Sequence, residues 1–355
     1  MIAPLLIPGA WMWSAWQPDR GMTFNSYLFE TADGNVAVDP LPLDEESLKW
    51  LAGRGGVKTI VLTNRDHRRD AQALRERFGS RVVAHAPEAP LFDIAIDGTF
   101  AGGESVFPGA RAIALPHGKT AGEVALYLQK ERAVVLGAAI LGAPAGALSL
   151  LPDEKLADPD RLVLALRKIW ALQPEALLLC DGQPIFSGAD AALTALLDSR
   201  AGAELYRVNL AEIEYEPDRD HERYQCDDGE IGLLIGARKL GYRVARIAAG
   251  KAFCPLHSHD REEEFFYILE GTPAIRTSRG TLQCRAGDFI AFPVGERGTH
   301  QLINNGPESC LVLMVGLNEE NEVCFYPDSE KLLIDAPGSH RIVRSVPLLE
   351  YFDGE

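Results

Sequence analysis

The first two hundred residues alternate short apolar runs, typical of β-strands, with amphipathic stretches typical of helices. One helix is predicted from Asp44, where acidic residues fill the first turn and Gly53 stands near the end. The predicted strands are 23–30, 35–38, 58–63, 81–85, 112–115, 124–128, 133–136 and 176–179, and the predicted helices are 44–54, 70–78, 161–172 and 189–197. This alternation, with several antiparallel strand pairs, predicts a layered α/β domain.

The pattern changes after residue 205. A polar stretch rich in acidic and basic side chains follows, which predicts a linker over 206–232. Beyond it, short apolar runs recur with turns but no helices between them, at 243–247, 264–269, 274–277, 289–292, 300–303 and 311–315. Such regular short strands indicate an all-β sandwich or barrel. We therefore predict an α/β domain over 1–205 and an all-β domain over 233–355.

Composition narrows the class of protein. Of 355 residues, 46% are hydrophobic and 24% are charged, which is typical of a globular chain and excludes disorder. The net charge of −16 makes nucleic acid or an anionic membrane surface an unsuitable partner. No apolar run is long enough for a membrane helix, and no basic residue precedes the apolar start of the chain, so no signal peptide is expected. Six cysteines without a CxxC pair predict reduced thiols and a cytoplasmic location.

Four metal-ligating residue types stand in the second half of the chain: His257, His259, Glu264 and His300. His257 and His259 are two residues apart, so on a strand both imidazoles project from the same face. In an antiparallel barrel Glu264 and His300 could converge with them. Three imidazoles and one carboxylate suit Fe, Mn, Ni, Cu or Zn as divalent ions and leave coordination positions open.

These residues resemble the two motifs of the cupin superfamily. The first motif runs from Gly250 through the two histidines and Glu264 to Gly271, and the second runs from Gly287 through His300 to Asn304, with two loop-length departures that remove no ligand. The resemblance implies a jelly-roll, or double-stranded β-helix, barrel that holds one divalent transition metal. The spacing to Gly271 selects Glu264 as the ligand, with its neighbour Glu263 as the substitute. The candidate pocket residues around the metal are Phe266, Phe292, Leu302 and Cys254.

The N-terminal domain is similar to the metallo-β-lactamase superfamily. The similarity rests on Val38-Asp39-Pro40, on 118–128, on 135–137 and on 180–184, and it implies an αββα sandwich. The family's metal ligands are replaced, however. The positions of its HxHxDH signature hold Asn64, Asp66, Arg68 and Arg69, and the remaining ligand positions hold Lys119, Ala138 and Asp181. Cations at these positions would repel a divalent ion, so we predict that the dinuclear hydrolase chemistry is lost.

Three other interpretations of this vestigial cleft stay open. Its three cations could bind a carboxylate or phosphate. A different metal site could use Asp66, His67, His117 and Asp181, although no spacing supports their convergence. A metal-free hydrolase could depend on Asp66 or Asp181. A purely structural or dimerising domain is the simplest interpretation.

Function, if it is chemical, is therefore expected in the C-terminal domain. The first hypothesis is a metal-dependent oxygenase that uses Fe(II) or Mn(II) on a small organic substrate. The alternative is a non-catalytic protein that binds or senses a small molecule or metal, with the N-terminal domain as a dimerisation or docking surface. No catalytic residue is assigned beyond the metal ligands. Both resemblances imply a homodimer, and fold alone cannot select the reaction.

Overall fold

The structure is a computed structural model that describes residues 2–319, 321–336, 339–346 and 353. The chain divides into two compact units, Met1–Leu205 (unit 1) and Tyr206–Glu355 (unit 2). The last part of the predicted domain 233–355 falls partly outside the described residues.

Unit 1 contains two β-sheets. The first sheet has seven strands in sequence order: β1 (Ala3–Pro4), β2 (Ala10–Gln17), β3 (Met22–Phe29), β4 (Val36–Val38), β5 (Thr59–Leu62), β6 (Arg81–His85) and β7 (Gly98–Phe100). The second sheet has the order β12-β11-β10-β9-β8, in which the strands are β8 (Ser105–Phe107), β9 (Ala110–Ala114), β10 (Val124–Leu128), β11 (Ala133–Leu136) and β12 (Ala176–Leu179). Strands β4 to β7 run parallel, as do β11 and β12, and the other pairs are antiparallel.

The sheets of unit 1 pack face to face, and each carries two helices on its outer side. Buried residues of both sheets share one core. Helices α1 (Glu45–Ala52) and α2 (Ala71–Phe78) cover the first sheet, and α3 (Pro159–Ala171) and α4 (Ala189–Ala201) cover the second. The αββα sandwich is thereby confirmed. None of the helices in the described ranges is both long and apolar enough to cross a membrane.

Local chemistry explains these elements. Helix α1 begins after Asp44, whose side chain accepts a 2.8 Å hydrogen bond from the Ser47 N–H. Strand β5 is buried along most of its length, as its unbroken apolar run predicts. Strand β2 was not predicted, although it holds both the buried Trp13 and the exposed Trp16. Its apolar composition offers no clear period-two pattern.

Unit 2 consists of β-strands in three sheets. The six-stranded sheet has the order β13-β14-β15-β22-β17-β20, with β13 (Glu216–Asp220), β14 (Gln225–Glu230), β15 (Leu240–Ile247), β17 (Glu264–Glu270), β20 (Phe289–Phe292) and β22 (Cys310–Leu317). The three-stranded sheet has the order β19-β18-β21, with β18 (Ala274–Thr277), β19 (Gly280–Gln283) and β21 (His300–Ile303). The four-stranded sheet contains β16 (Ser258–His259), β23 (Glu322–Tyr326), β24 (Lys331–Ala336) and β25 (Ser339–Arg344).

The core of unit 2 lies between the six-stranded and three-stranded sheets. It combines Phe266 and Val312 of the first with Ile275 and Leu302 of the second. The strand ladders among the described residues form open sheets, and no closed barrel is found among them. Short bridges such as Ala252 with Ile303 join the layers where continuous ladders stop. Unit 2 is thus a two-sheet jelly-roll sandwich with a third sheet beside it.

The segment 206–232 differs from its prediction as a polar linker. It contains β13 and β14, and β14 pairs with β15 along the six-stranded sheet. Cys226 and Gly229 are the buried residues of β14, while most of its other residues are polar. A strand near a sheet edge can carry many polar side chains and still pair through its backbone, which is why composition alone suggested a linker.

Candidate metal centre

Two of the four predicted ligands in unit 2 face each other through their backbones. The His257 N–H donates to the His300 carbonyl at 3.1 Å, and the His300 N–H donates back at 2.8 Å. This reciprocal pair is the hydrogen-bonded position of an antiparallel bridge. The two imidazole rings lie 4.6 Å apart, measured between centroids.

The other two predicted ligands complete the same cluster. His259 ends β16, with its ring 4.9 Å from that of His257. Glu264 begins β17, and its Oε2 atom lies 3.2 Å from His259 Nε2 and 3.1 Å from His300 Nε2. The structure therefore brings all four predicted residues together, because two short strands and one bridge converge at this end of the sandwich.

The orientation of the rings is fixed by hydrogen bonds at Nδ1. His257 Nδ1 lies 3.0 Å from the Pro255 carbonyl oxygen, and His300 Nδ1 lies 2.9 Å from that of Gly298. Only glycine fits at position 298 of this turn, since a Cβ there would overlap the carbonyl oxygen of Pro293. These contacts assign the proton to Nδ1 and leave each Nε2 directed into the cluster.

Several polar atoms of the cluster are buried without a hydrogen-bond partner. They are His259 Nε2, His300 Nε2 and Glu264 Oε2. Ligand atoms of His257, Glu264 and His300 lie within 4.8 Å of one another. Buried polar atoms nearly always have a hydrogen-bond partner. Three such atoms that lack a partner and face one point therefore fit a cation with nitrogen and oxygen ligands.

Burial and neighbouring imidazoles lower the pKa of His257 to about 3, which keeps it neutral. Burial raises the pKa of Glu264, but His259 and His300 outweigh this effect and hold that pKa well below its usual range. Burial also lowers the pKa of His259, but Cys324 and Glu264 raise it to about 11. Neutral imidazole and ionised carboxylate are the ligating forms, so a cation would displace a proton from His259.

The predicted pocket residues lie beside the cluster. Phe292 stacks on His300 with ring centroids 3.8 Å apart, and Phe266 meets the same ring edge-on at 5.3 Å. Leu302 is fully buried in the same core, and Cys254 Sγ lies 3.5 Å from His257 Nδ1. These residues belong to the core of unit 2 and form an apolar wall beside the cluster, and their role in a ligand pocket stays a prediction.

A cavity of about 500 Å³ lies elsewhere in unit 2. None of the predicted site residues lines it. Its lining residues are Thr272, Gln283, Cys284, Arg285, Asp288, Asn305, Gly306 and Pro307.

Sequence reasoning missed the residues of β23 that adjoin the cluster. Cys324 pairs with His259 across the strands, and its Sγ lies 3.4 Å from His259 Nδ1. Glu322 Oε1 lies 3.5 Å from the same nitrogen, and the Tyr326 ring stacks on that of His257 at 5.9 Å. Glu322, Cys324 and Tyr326 alternate along one strand face, which is the signal that the sequence offered.

In unit 1, the three cations predicted in the vestigial cleft all have carboxylate partners. Lys119 pairs with Asp66, and Arg68 pairs with Asp93 at 3.3 Å. Arg69 is buried and donates to Asp181 at 2.8 Å, as well as to backbone carbonyls. The cleft therefore offers no unpaired charge from these three side chains to attract an anion.

His67 lies at the centre of a buried charge network in the same cleft. Its Nδ1 is 2.8 Å from Asp39 Oδ2, and its Nε2 is 3.3 Å from Asp181 Oδ2. Asp39 also accepts hydrogen bonds from the Thr63 N–H and hydroxyl. Burial and Arg69 lower the pKa of His67, but the two carboxylates outweigh them and raise it to about 9. His67 is thus an internal cation in this cleft.

This network corrects the alternative metal site that we considered for unit 1. His67 and Asp181 do converge, but Asp66 turns to Lys119, and His117 has no contact with the network among the described hydrogen bonds and ion pairs. Asp39, His67 and Cys180 have ligand atoms within 4.8 Å of one another. Both nitrogens of His67 already face carboxylates, however, so the group has no orphan atom to offer a metal.

The remaining replaced ligand positions, Asn64 and Ala138, take part in hydrogen bonds that involve backbone N–H groups. The Asn64 side chain accepts a 3.0 Å hydrogen bond from the Asp66 N–H and caps a short 3₁₀ turn. The Ala138 and Ala139 N–H groups donate to Glu123 Oε1 at 2.6 and 2.5 Å. Burial raises the pKa of Glu123 to about 7. Glu123 was not predicted as a cleft residue, since it stands in an otherwise apolar strand start.

Comparison with protein families agrees with this geometry. The profile described as metallo-beta-lactamase superfamily matches residues 3–200, more than half of the chain. The chain belongs to the metallo-β-lactamase superfamily. The profile described as cupin domain matches residues 243–316, so this family member carries a cupin domain in unit 2, and both predicted resemblances are confirmed.

Solved structures resemble parts of this metallo-β-lactamase superfamily member. A metallo-beta-lactamase from Pontibacter korlensis is 19% identical over 56% of this chain and 98% of its own, with a TM-score of 0.46. A sugar phosphate isomerase of the cupin superfamily from Silicibacter pomeroyi is 22% identical over 41% and 98%, with a TM-score of 0.37. The polyketide cyclase RemF from Streptomyces resistomycificus is 23% identical over 32% and 79%, with a TM-score of 0.29. No curated protein matches the sequence closely enough to count as a relative.

Proposed function

We propose that unit 2 binds one divalent transition metal per chain through His257, His259, Glu264 and His300. The observation that carries this proposal is the set of buried orphan atoms, His259 Nε2, His300 Nε2 and Glu264 Oε2, which face one another. Iron, manganese, nickel, copper and zinc all suit three imidazoles and one carboxylate.

The chain's own residues define how a small molecule would reach this site. The His300 side chain is only 1% exposed, whereas those of His259 and Glu264 are 13% and 21% exposed. Access is therefore from the side of His259 and Glu264. Phe266 and Phe292 exclude water behind His300, which favours a small organic ligand over a highly hydrated one.

We further propose a metal-dependent oxygenase that acts on a small organic substrate. Fe(II) or Mn(II) held by these residues would supply Lewis-acid or redox chemistry. The alternative is a non-catalytic ligand-binding protein. It is favoured by the cleft of unit 1, in which the charged side chains are paired with one another. We also propose that unit 1 lacks dinuclear hydrolase activity, which is supported by its replaced ligand positions and its internally paired charges. A homodimer and a cytoplasmic location stay predictions of the sequence.

Metal content tests the first proposal. Elemental mass spectrometry is applied to protein purified without chelator or metal-affinity tag, beside the double variant His257→Ala, His300→Ala. We expect about one transition metal per wild-type chain and its loss in the variant. His340→Ala is the matched control, since His340 is an exposed histidine of β25. Metal that persists in the double variant would place the site elsewhere in the chain and overturn the proposal.

Oxygen uptake separates the two functional alternatives. Wild-type protein reconstituted with Fe(II) or Mn(II) is given a panel of catechols, thiols and diketones. Uptake that depends on both the metal and His300 would support the oxygenase. Tight binding of a panel member by calorimetry, with no turnover on any metal, would favour the binding protein instead.

A further inference from the structure

Glu322, the first residue of β23, holds the loop that joins two of the proposed ligands. Its Oε1 atom accepts a hydrogen bond from the Asp260 N–H at 2.7 Å. Its Oε2 atom accepts from the N–H groups of Arg261 at 3.0 Å and Glu262 at 3.1 Å. Three consecutive amides between His259 and Glu264 thus converge on one carboxylate, which is only 5% exposed.

The same carboxylate faces His259. An ionised carboxylate has about four lone-pair positions, and three of those on Glu322 are used by the loop amides. Its Oε1 atom, which accepts one amide, lies 3.5 Å from His259 Nδ1. His257 and His300 have carbonyl oxygens at this nitrogen, whereas His259 has Glu322, Glu262 and Cys324 around it. Three side chains thus surround His259 Nδ1, and Glu322 is the one whose carboxylate also holds the 260–262 loop.

We propose that Glu322 is the positioning residue of the metal centre: it fixes the 260–262 loop and orients His259 so that His259 and Glu264 meet at one point. This inference rests on the proposed metal-binding function. A carboxylate behind a ligating imidazole fixes the ring and its tautomer, and loss of such a partner typically costs about 10–100-fold in metal affinity. Glu322 touches no substrate or metal and acts only through the loop and His259.

A rival interpretation of the same contacts is a second metal site. Ligand atoms of His259, Glu322 and Cys324 lie within 4.8 Å of one another. Against it, the Glu322 carboxylate is largely occupied by backbone donors, and His259 would have to bind through both ring nitrogens. The two interpretations differ in metal stoichiometry, one per chain against two.

The first arm of the test uses metal-free protein. Amide hydrogen exchange by NMR is measured for Asp260, Arg261 and Glu262 in the wild type and in Glu322→Gln. We expect the protection of at least one of these three amides to fall about tenfold in the variant, since one carboxylate oxygen becomes an amide nitrogen that cannot accept. Unchanged protection of Ala245 and Val312 in the core strands checks that the variant is folded. Unchanged protection of the loop amides would overturn the proposal.

The second arm measures Zn²⁺ affinity and stoichiometry by competition with a chelating dye. We expect about 10–100-fold weaker binding by Glu322→Gln and by Glu322→Asp, which keeps the charge but withdraws it from the loop. Glu270→Gln is the control, because Glu270 is an exposed glutamate at the opposite end of β17 from Glu264 and should leave affinity unchanged. Wild-type affinity in both Glu322 variants would overturn the proposal. So would two Zn²⁺ per chain that fall to one in Cys324→Ala.

The two arms also separate the proposals. If the wild type binds no Zn²⁺ or other transition metal, the proposed function fails, and the positioning role toward a metal fails with it. The exchange arm still decides whether Glu322 holds the loop. If the wild type binds metal and the Glu322 variants bind it equally well, the proposed function stands and only the present inference is lost.

Discussion

His67 in unit 1 and His300 in unit 2 are both buried imidazoles beside carboxylates, yet their surroundings give them opposite chemistry. Both ring nitrogens of His67 face carboxylates, at 2.8 and 3.3 Å. His300 has a backbone carbonyl at Nδ1, while its Nε2 is an orphan 3.1 Å from Glu264. Both nitrogens of His67 are thus satisfied inside the protein, whereas His300 Nε2 lies beside Glu264 without a hydrogen-bond partner among the described residues.

This difference shows what separates a charge network from a metal centre. It is whether each buried polar atom has a partner inside the protein, more than which residue types are present. Unit 1 has Asp, His and Cys within ligand distance of one another, as unit 2 has His and Glu. In unit 1 the buried cations His67 and Arg69 supply positive charge to Asp39 and Asp181. In unit 2 the Glu264 carboxylate faces His259, whose pKa is raised to about 11, so a bound cation would take the place of the His259 proton.

The largest expected effect comes from breaking the network of unit 1. Asp39→Asn keeps the side-chain shape and tolerates the positive φ of 48° at this position, so it removes mainly the charge. It leaves the buried His67 cation short of one partner, and we expect the free energy of unfolding of unit 1 to fall by about 3–5 kcal/mol. Urea unfolding followed by tryptophan fluorescence measures it, because all five tryptophans lie in unit 1: Trp11, Trp13, Trp16, Trp50 and Trp170.

A loss below about 1 kcal/mol, the range of exposed pairs, would show that the His67 cation does not need Asp39. The metal content of Asp39→Asn sharpens the comparison further. It should equal that of the wild type, since the proposed centre lies wholly within unit 2. A parallel loss of metal would contradict the assignment of the two sites to separate units.

A smaller effect is expected from pH. The pKa of Glu123 is raised from 4.5 to about 7, and that of His67 from 6.5 to about 9. Both groups bind protons more tightly in the folded state, so their stabilisation is complete below their ordinary pKa values and is lost as pH rises through about 7 and about 9. The urea midpoint of the tryptophan signal should therefore decrease from about pH 6 to about pH 10. A midpoint that rises over this range would show that neither group holds its proton in the folded state.

The smallest effect is expected at the surface of the same cleft. Asp66→Asn makes the same chemical change as Asp39→Asn, but at the Lys119 pair, whose side chains are 41% and 38% exposed. Solvent screens this pair, so the free energy of unfolding should change by about 0–1 kcal/mol. The same tryptophan experiment measures it. An effect as large as that of Asp39→Asn would remove the distinction between the buried and exposed charges of the cleft.

Much of unit 2 could be predicted from sequence because its information is local. His257 and His259 stand two apart on a strand, and β18, β20 and β21 have the predicted bounds. Of the four clustered residues, His259 lies on β16, Glu264 begins β17 and His300 begins β21. Glu322 could not be predicted as a neighbour of His259, because their proximity depends on the pairing of β16 with β23, which no local pattern encodes.

In unit 1 the sequence predicted which ligands are missing but not what takes their place. The motif shows that Arg69 and Asp181 stand at positions where the family has metal ligands. The αββα layers follow from the strand and helix patterns. The contact between His67 and Asp181 joins residues more than a hundred positions apart, one after β5 of the first sheet and one after β12 of the second. Charge compensation of this kind is a property of the folded cleft and is not a property of any segment.

The reciprocal hydrogen bonds between His257 and His300 have a consequence for how a cation would be captured. They lock the register at this bridge, and a slip of one residue would turn each imidazole to the opposite side. Folding therefore sets the ligand geometry before any ion binds. An arriving ion would meet preorganised donors whose rings need no further ordering. Capture would then be limited by how fast the ion loses its own hydration shell. Metals that lose water quickly and metals that lose it slowly should therefore differ more in their rate of binding than in the geometry of the bound site.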